Sequence, residues 1–234
     1  MKAVILAGGL GTRLSEETKI KPKPLVEIGG KPILWHIMKI FSNYGVNDFI
    51  ICSGYKGYMI EEYFQDNPES NMNILVEDTG KYTMTGGRLG RLKEHLKDEE
   101  SFCFTYGDGV ANVNIQNLIA FHREHGKLAT MTTSFPPERF GRVVLDGDTV
   151  VSFREKPSND NTWVNAGFFV LNPEVLNLIQ SDQTVWELDP LLELTQKNEL
   201  MAFRHDDFWQ PMDTLYEKEL LNNLWNKNKA KWKV

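Results

Sequence analysis

An α/β fold with a largely parallel central sheet is the architecture that this 234-residue sequence predicts. Three observations carry the prediction. Short apolar runs alternate with segments of helical periodicity, the signature of strand–helix–strand units. Apolar residues make up 41% and charged residues 25% of the chain, a balance that buries a core and argues against disorder. The length suits about one large domain or at most two small ones. With no internal repeat, low-complexity stretch or linker, residues 1–234 are read as a single domain whose C-terminal part completes the same sheet.

Ala3 to Ala7 is a buried-strand run that ends in a glycine loop. Lys31 to Tyr44 reads as a helix, with Pro32 in its first turn and Leu34, Ile37, Met38 and Phe41 on one face. Asp48 to Cys52 is the next strand, followed by a helix near Tyr58 to Phe64 and a short strand at Asn73 to Val76. Asp66 to Asn73 is the most loop-like segment. Gly87 to Leu96 reads as a helix with Arg88, Arg91 and Lys93 among its polar positions. Phe102 to Tyr106 is a central strand running into Gly107-Asp108-Gly109. Ile115 to His125 is a helix and Ala129 to Ser134 a strand. Asp146-Gly147-Asp148 between two apolar runs, Arg142 to Leu145 and Thr149 to Phe153, predicts a hairpin. Ala166 to Leu171 is a strand. Helices near Glu174 to Ile179 and Pro190 to Lys197, a strand at Met201 to Arg204 and a helix from about Thr214 to Trp225 close the chain.

Composition narrows the functional classes. The net charge of −6 argues against a nucleic-acid partner, because such binding needs a positive surface to displace counterions. It leaves room for a small anionic ligand held by a local cluster of Lys and Arg. No apolar run approaches the ~18 residues of a membrane span, and the five apolar residues after Lys2 are too few for a signal-peptide core. Cys52 and Cys103, each in an apolar segment, are read as buried free thiols in a reducing cytoplasm. His122 and His125 lie three apart on a helix but have no third ligand, so a polar face outweighs a zinc site.

The chemistry-bearing segments start with Leu6-Ala7-Gly8-Gly9-Leu10-Gly11-Thr12-Arg13-Leu14. A glycine-rich turn leaving a first strand brings backbone N–H groups close to a phosphate. It is not a P-loop, which needs Gly-Lys-Ser/Thr, nor a dinucleotide fingerprint, since Leu14 stands where a third glycine belongs. Glycines alone favour an ordinary tight turn. Arg13, a permanent cation beside the loop, shifts the balance toward phosphate. In Lys21-Pro22-Lys23-Pro24 the two prolines constrain Lys23, so a positioned ammonium competes with a solvated basic loop.

Together these segments resemble the signature of the sugar-phosphate nucleotidyltransferases. Leu25 to Met38, Thr83-Met84-Thr85-Gly86-Gly87-Arg88-Leu89, Thr105 to Val110 and Phe208 to Thr214 resemble the glucose-1-phosphate cytidylyltransferase branch in particular. The resemblance implies a three-layer Rossmann-like nucleotidyltransferase fold, its nucleotide-binding part about 1–110 and its sugar-phosphate and C-terminal part about 111–234. It implies CTP and a sugar 1-phosphate as partners, Mg²⁺ as cofactor and a cytoplasmic homo-oligomer. By the same resemblance Arg13, Lys23 and Asp108 are catalytic, and Asp108 and Asp213 hold the metal. Leu6, Ala7, Gly8, Gly9, Gly11, Thr12, Arg13, Lys23, Thr83, Gly86, Arg88 and Gly107 receive the nucleotide. Glu155, Lys156, Asn165 and Gly167 receive the sugar phosphate. Read without it, Asp108 is an ordinary turn residue, Asp213 a helix cap, and Glu155-Lys156 an exposed charge pair.

Three departures qualify the match. The connection between Phe64 and Asp78 is roughly two dozen residues shorter than the family pattern, although about 4–6 residues is the commoner loop length. That puts the oligomeric state in doubt. Ala166 stands for a usual glycine and Asn112 for an aspartate. One methyl beside the sugar is worth only about 1–3 kcal/mol of discrimination, enough to shift the acceptor. The alternatives are therefore a CTP-dependent enzyme for another phosphorylated acceptor and a non-catalytic sensor of nucleotide or sugar phosphate.

Overall fold

The computed structural model describes residues 1–136, 142–146, 148–154 and 163–234. β1 (Lys2–Leu6) leads into the glycine loop, a 3-10 turn (Thr12–Leu14) and α1 (Ser15–Thr18). A second 3-10 turn (Lys23–Leu25) precedes the two-residue strands β2 (Glu27–Ile28) and β3 (Lys31–Pro32), then α2 (Ile33–Ser42). There follow β4 (Asp48–Ser53), α3 (Gly57–Asp66), β5 (Asn73–Asp78), α4 (Thr85–Gly90), α5 (Lys93–Leu96) and β6 (Phe102–Tyr106). Next come β7 (Gly109–Ala111), α6 (Ile115–His125), β8 (Ala129–Ser134), β9 (Arg142–Asp146), β10 (Thr149–Arg154) and β11 (Val164–Leu171). After a 3-10 segment (Pro173–Leu178), α7 (Asp189–Gln196), β12 (Leu200–Arg204), β13 (Trp209–Pro211) and α8 (Leu215–Asn226) complete the chain.

Seven strands form the central sheet in the order β12-β8-β11-β6-β1-β4-β5. β1 lies parallel between β4 and β6, with Ile5 opposite Ile51 on one side and Thr105 on the other. β11 runs antiparallel to both neighbours, β6 and β8, so the sheet is mixed but mostly parallel, as expected. β12 and β8 place the C-terminal part in that same sheet.

Alternation along β1 sends side chains to opposite faces. Ala3 and Ile5 join a core with Leu34, Ile37 and Phe41 of α2. Val4 joins the other core, with Leu89, Leu96, Phe104 and Trp186. Both faces are covered, which explains why the strands read as continuous apolar runs.

The predicted hairpin is present as β9 and β10. The helix expected over Lys31 to Tyr44 begins at Ile33. Pro32 is extended (φ −53°, ψ 146°), so it ends β3 and precedes the first turn. The helix expected over Gly87 to Leu96 is two short ones, α4 and α5, because three glycines in the six residues of α4 weaken it. The segment near Glu174 to Ile179 is 3-10.

From β1 the chain proceeds to β4 and β5 on one side, then returns to β6 on the other. That reversal opens a crevice beyond the carboxyl ends of β1 and β6, the usual ligand position in such sheets.

Candidate active site

The glycine loop leaves β1 into that crevice. Ala7 N donates to Cys52 O at 2.9 Å, and Gly8 O accepts from Arg88 Nη2 at 2.9 Å and Tyr55 N at 3.3 Å. A Cβ on Gly8 would overlap Arg88 Nη1 and approach Ser53 O at 2.8 Å, so this glycine is fixed by the guanidinium beneath it. Gly11 takes a left-handed conformation (φ +65°), and a Cβ there would sit 2.6 Å from Thr18 Cγ2. Gly9, Leu10, Thr12 and Arg13 are exposed on the outer side of the loop.

Lys23 starts a 3-10 turn between its two prolines, and its side chain is buried. Its Nζ donates to Asp108 Oδ2 at 2.7 Å and to Asp213 Oδ1 at 2.6 Å. Arg13 Nη1 donates to Asp213 Oδ2 at 2.5 Å. Residues 13, 23, 108 and 213 thus form one alternating cluster of two cations and two anions. Burial alone would lower the Lys23 pKa, but Asp108 and then Asp213 outweigh it and hold the ammonium above its ordinary value.

The two aspartates meet because of a pairing that sequence periodicity did not reveal. β7 and β13 form a two-stranded antiparallel ribbon with Pro211 opposite Gly109, and Met212 N donates to Asp108 O at 2.8 Å. Gly107 N donates to Leu6 O at 2.9 Å, and a Cβ on Gly107 would meet that oxygen at 2.7 Å, which ties the Asp108 turn to the end of β1. Asp213 is not the helix cap. Thr214 caps α8 in a capping box with Glu217, and Asp213 N donates to Glu217 Oε2 at 2.7 Å.

Asp108 and Asp213 both reach one point, now held by Lys23 Nζ, with hard oxygen donors. That donor set fits Mg²⁺, which takes one or two carboxylates and fills the rest of its shell with water and phosphate. Among the described residues no group of three or more His, Cys, Asp or Glu is arranged to hold a metal by itself, so a cation here would rely on these two carboxylates with water and phosphate.

Beside Asp108 a small cleft is lined by Tyr106, Gly109, Asn165, Ala166, Gly167 and Trp209, among others. Gly167 is left-handed (φ +82°), and a Cβ there would meet Tyr106 Cδ2 at 2.6 Å. Asn165 and Gly167 are therefore brought to the Asp108 cluster. Glu155 and Lys156 lie outside the described residues.

Thr83 is buried next to α4, and Gly86 packs on a backbone carbonyl, its Cβ position 2.8 Å from Thr184 O. Arg88, read from the sequence as a polar helix position and by resemblance as a nucleotide contact, is 4% exposed. Its donors reach Ser53 O and Thr79 Oγ1, each at 2.8 Å, besides Gly8 O, so it props the glycine loop from the protein side. Sequence reading missed this role, because a lone Arg in a glycine-rich helix carries no burial signal. It also missed Tyr106, which lines the cleft, and Glu187 and Thr85, which continue its hydrogen bonding.

The remaining nucleophiles are quiet. Burial pushes both free cysteine thiols up to about 12. His122 bonds Thr130 Oγ1 and Asn172 Oδ1, each at 2.8 Å, and burial lowers its pKa.

Comparison with known proteins now decides the family: the profile of the nucleotidyl transferases matches residues 2–214. The chain belongs to the nucleotidyl transferase family. Glucose-1-phosphate cytidylyltransferase of Salmonella typhi is 56% identical to it, covering 100% of this chain and 99% of that protein. Probable glucose-1-phosphate cytidylyltransferase of Bacillus subtilis is 42% identical over 100% of both. The alignment with the Salmonella transferase spans 255 positions, more than this chain has residues, so that relative carries sequence this one lacks. A crystal structure of a nucleotidyl transferase from Bacillus anthracis, described as a putative glucose-1-phosphate thymidylyltransferase in complex with a sucrose, superposes with TM-score 0.78. It is 19% identical, with 99% of this chain and 95% of that one covered, and shares the fold.

Proposed function

We propose that this chain transfers the cytidylyl group of CTP to glucose 1-phosphate, giving CDP-glucose and pyrophosphate. The observation that carries the reading is 56% identity over its whole length to a protein of that name, joined to an Arg13–Lys23–Asp108–Asp213 cluster at the sheet's ligand crevice.

In this reading an oxygen of the sugar phosphate attacks the α-phosphorus of CTP. The bond from that phosphorus to the bridging oxygen breaks, and pyrophosphate leaves with the electron pair. The attacking group is already an oxyanion, so no protein base is required; cations and aligned donors are. The loop from Leu6 to Arg13 receives the triphosphate. Arg13 and Lys23 offer positive charge to it, and Lys23 stays protonated throughout the physiological range. Asp108 and Asp213 would hold Mg²⁺, whose chemistry when bound would be to neutralise charge on the triphosphate and on the leaving group. Asn165 and Gly167 bound the sugar, with Glu155 and Lys156 assigned to its hydroxyls and phosphate. The proposal takes residues 1–234 as one such domain, working as a cytoplasmic homo-oligomer.

The test is a pyrophosphate-release screen of four nucleoside triphosphates against phosphorylated acceptors with Mg²⁺. Turnover is expected with CTP and glucose 1-phosphate above every other pair. A different preferred acceptor replaces the sugar assignment, and CTP binding without turnover on any acceptor replaces the enzyme with a sensor. Light scattering that reports a monomer removes the homo-oligomer.

A further inference from the structure

One hydrogen-bond chain runs behind the cleft and connects the two substrate regions. Asn165 lies on the cleft wall together with Tyr106, and its Oδ1 accepts from Gly167 N at 2.8 Å. Tyr106 Oη donates to Glu187 Oε1 at 2.5 Å. Glu187 Oε2 accepts from Thr85 Oγ1 at 2.6 Å, and Thr85 is the first residue of α4. The chain therefore leads from the sugar side, through one carboxylate, to the helix that follows Thr83 and carries Gly86 and Arg88.

Glu187 sits on a strap, residues 181–188, that clamps the start of α4. Met84 N donates to Asp182 O at 2.8 Å, Gly87 N to Thr184 O at 3.1 Å, and Trp186 N donates to Thr85 Oγ1 at 3.0 Å. Arg91 adds a bidentate pair to Asp182 at 3.0 and 2.6 Å. With so many bonds fixed to α4, a shift of α4 on nucleotide binding has to move the strap, and with it Glu187. Charge-assisted hydrogen bonds from a Tyr and a Thr hydroxyl to one carboxylate transmit that shift to Tyr106, whose ring packs against Gly167.

We propose that Glu187 is a positioning residue that couples the two substrates: nucleotide held at α4 sets the Tyr106–Asn165 wall in the conformation that takes the sugar phosphate. It touches neither reacting group. The inference rests on the proposed reaction and adds to it a thermodynamic link between the subsites, which by reciprocity must act in both directions.

Calorimetry on the full chain tests this. Glucose 1-phosphate is titrated with Mg²⁺ present, without and with saturating α,β-methylene CTP, into the parent, Glu187→Gln and Tyr106→Phe. In the parent the analogue is expected to tighten sugar-phosphate binding at least about fivefold, the lower end of ordinary coupling. Both variants are expected to lose most of that factor while still binding the nucleotide analogue, and the double variant to do no worse than either single one. A parent whose affinity ignores the analogue, or variants that keep the full factor, overturns the proposal. Tyr106→Phe breaks the same chain without altering the strap, so the test survives if Glu187→Gln fails to fold. Turnover of CTP and glucose 1-phosphate by the parent is measured separately, so a failed coupling experiment on an active parent removes only this inference.

Discussion

At the scale of single residues the site is governed by Lys23. Its ammonium stands between two carboxylates at 2.7 and 2.6 Å and is largely shielded from water. Removing it leaves Asp108 and Asp213 facing one another without the cation and takes a positive charge from the path of the triphosphate. Lys23→Ala is expected to lower kcat/KM about a hundredfold, the scale of losing one preorganised charge at a phosphoryl centre. The pH dependence follows from the sign of its shift. A lysine whose folded pKa is raised gives its contribution in full below the ordinary 10.5, and loses it only as pH climbs through the higher folded value. The pH–rate profile of the parent should therefore show no Lys23 step below pH 10.5. An alkaline loss with a midpoint near neutrality that moves in Lys23→Arg contradicts the placement. Arg88 is the second decisive residue, with three hydrogen bonds to Gly8, Ser53 and Thr79 from a buried guanidinium. Arg88→Ala is expected to cost about 3 kcal/mol, read as a Tm lower by about 6–12 °C, and to raise KM for CTP as the glycine loop loses its support.

At the scale of elements, strands that bury both faces were plain in the sequence, because runs such as Val4 to Leu6 and Phe102 to Phe104 have no polar interruption. The glycine loop, Lys23 and both aspartates were legible from motif and resemblance. What was hidden depends on distant pairing. The three residues of β7 are too few to show a period, and their partner β13 lies about a hundred residues away, yet this ribbon joins Asp108 to Asp213. The burial of Arg88 was hidden for a related reason: periodicity marks it polar, while its burial comes from carbonyls of Gly8 and Ser53 that only the fold brings near. The same dependence on local scaffolding shows at α8. Thr214 accepts from Glu217 N at 3.3 Å, and Glu217 Oε2 accepts from the N–H groups of both Asp213 and Thr214 at 2.7 and 2.9 Å. Thr214→Ala is expected to cost about 1 kcal/mol through the lost cap, a Tm drop of about 2–4 °C by thermal denaturation. It should also lower kcat, because Asp213 loses the fixed backbone that aims it. A stability loss with unaltered kcat shows that the Glu217 tether alone sets Asp213.

At the scale of the whole molecule, the site exists only when the chain's ends are brought together. Arg13 and Lys23 follow β1, Asp108 follows β6, and Asp213 lies between β13 and the cap of the last helix, so any ligand that bridges them ties distant parts of the fold. Linkage turns that into a measurable stability. A ligand that binds only the native state at a hundred times its Kd adds about 2.7 kcal/mol, which for a chain of this size raises Tm by about 5–11 °C. Mg²⁺ with CTP is expected to give a shift of that order. CTP with a chelator should give much less, since the triphosphate then approaches two carboxylates with no divalent cation between them, and Lys23 and Arg13 remain engaged with those carboxylates. Asp108→Asn and Asp213→Asn separate the two contributions. Each removes one anionic donor but keeps the volume of the side chain, so each should fold, bind CTP alone at least as well as the parent, and lose the extra stabilisation that Mg²⁺ brings. If either variant keeps the full Mg²⁺-dependent shift, that aspartate is not a ligand, and the cation must be held by the triphosphate with the other carboxylate alone.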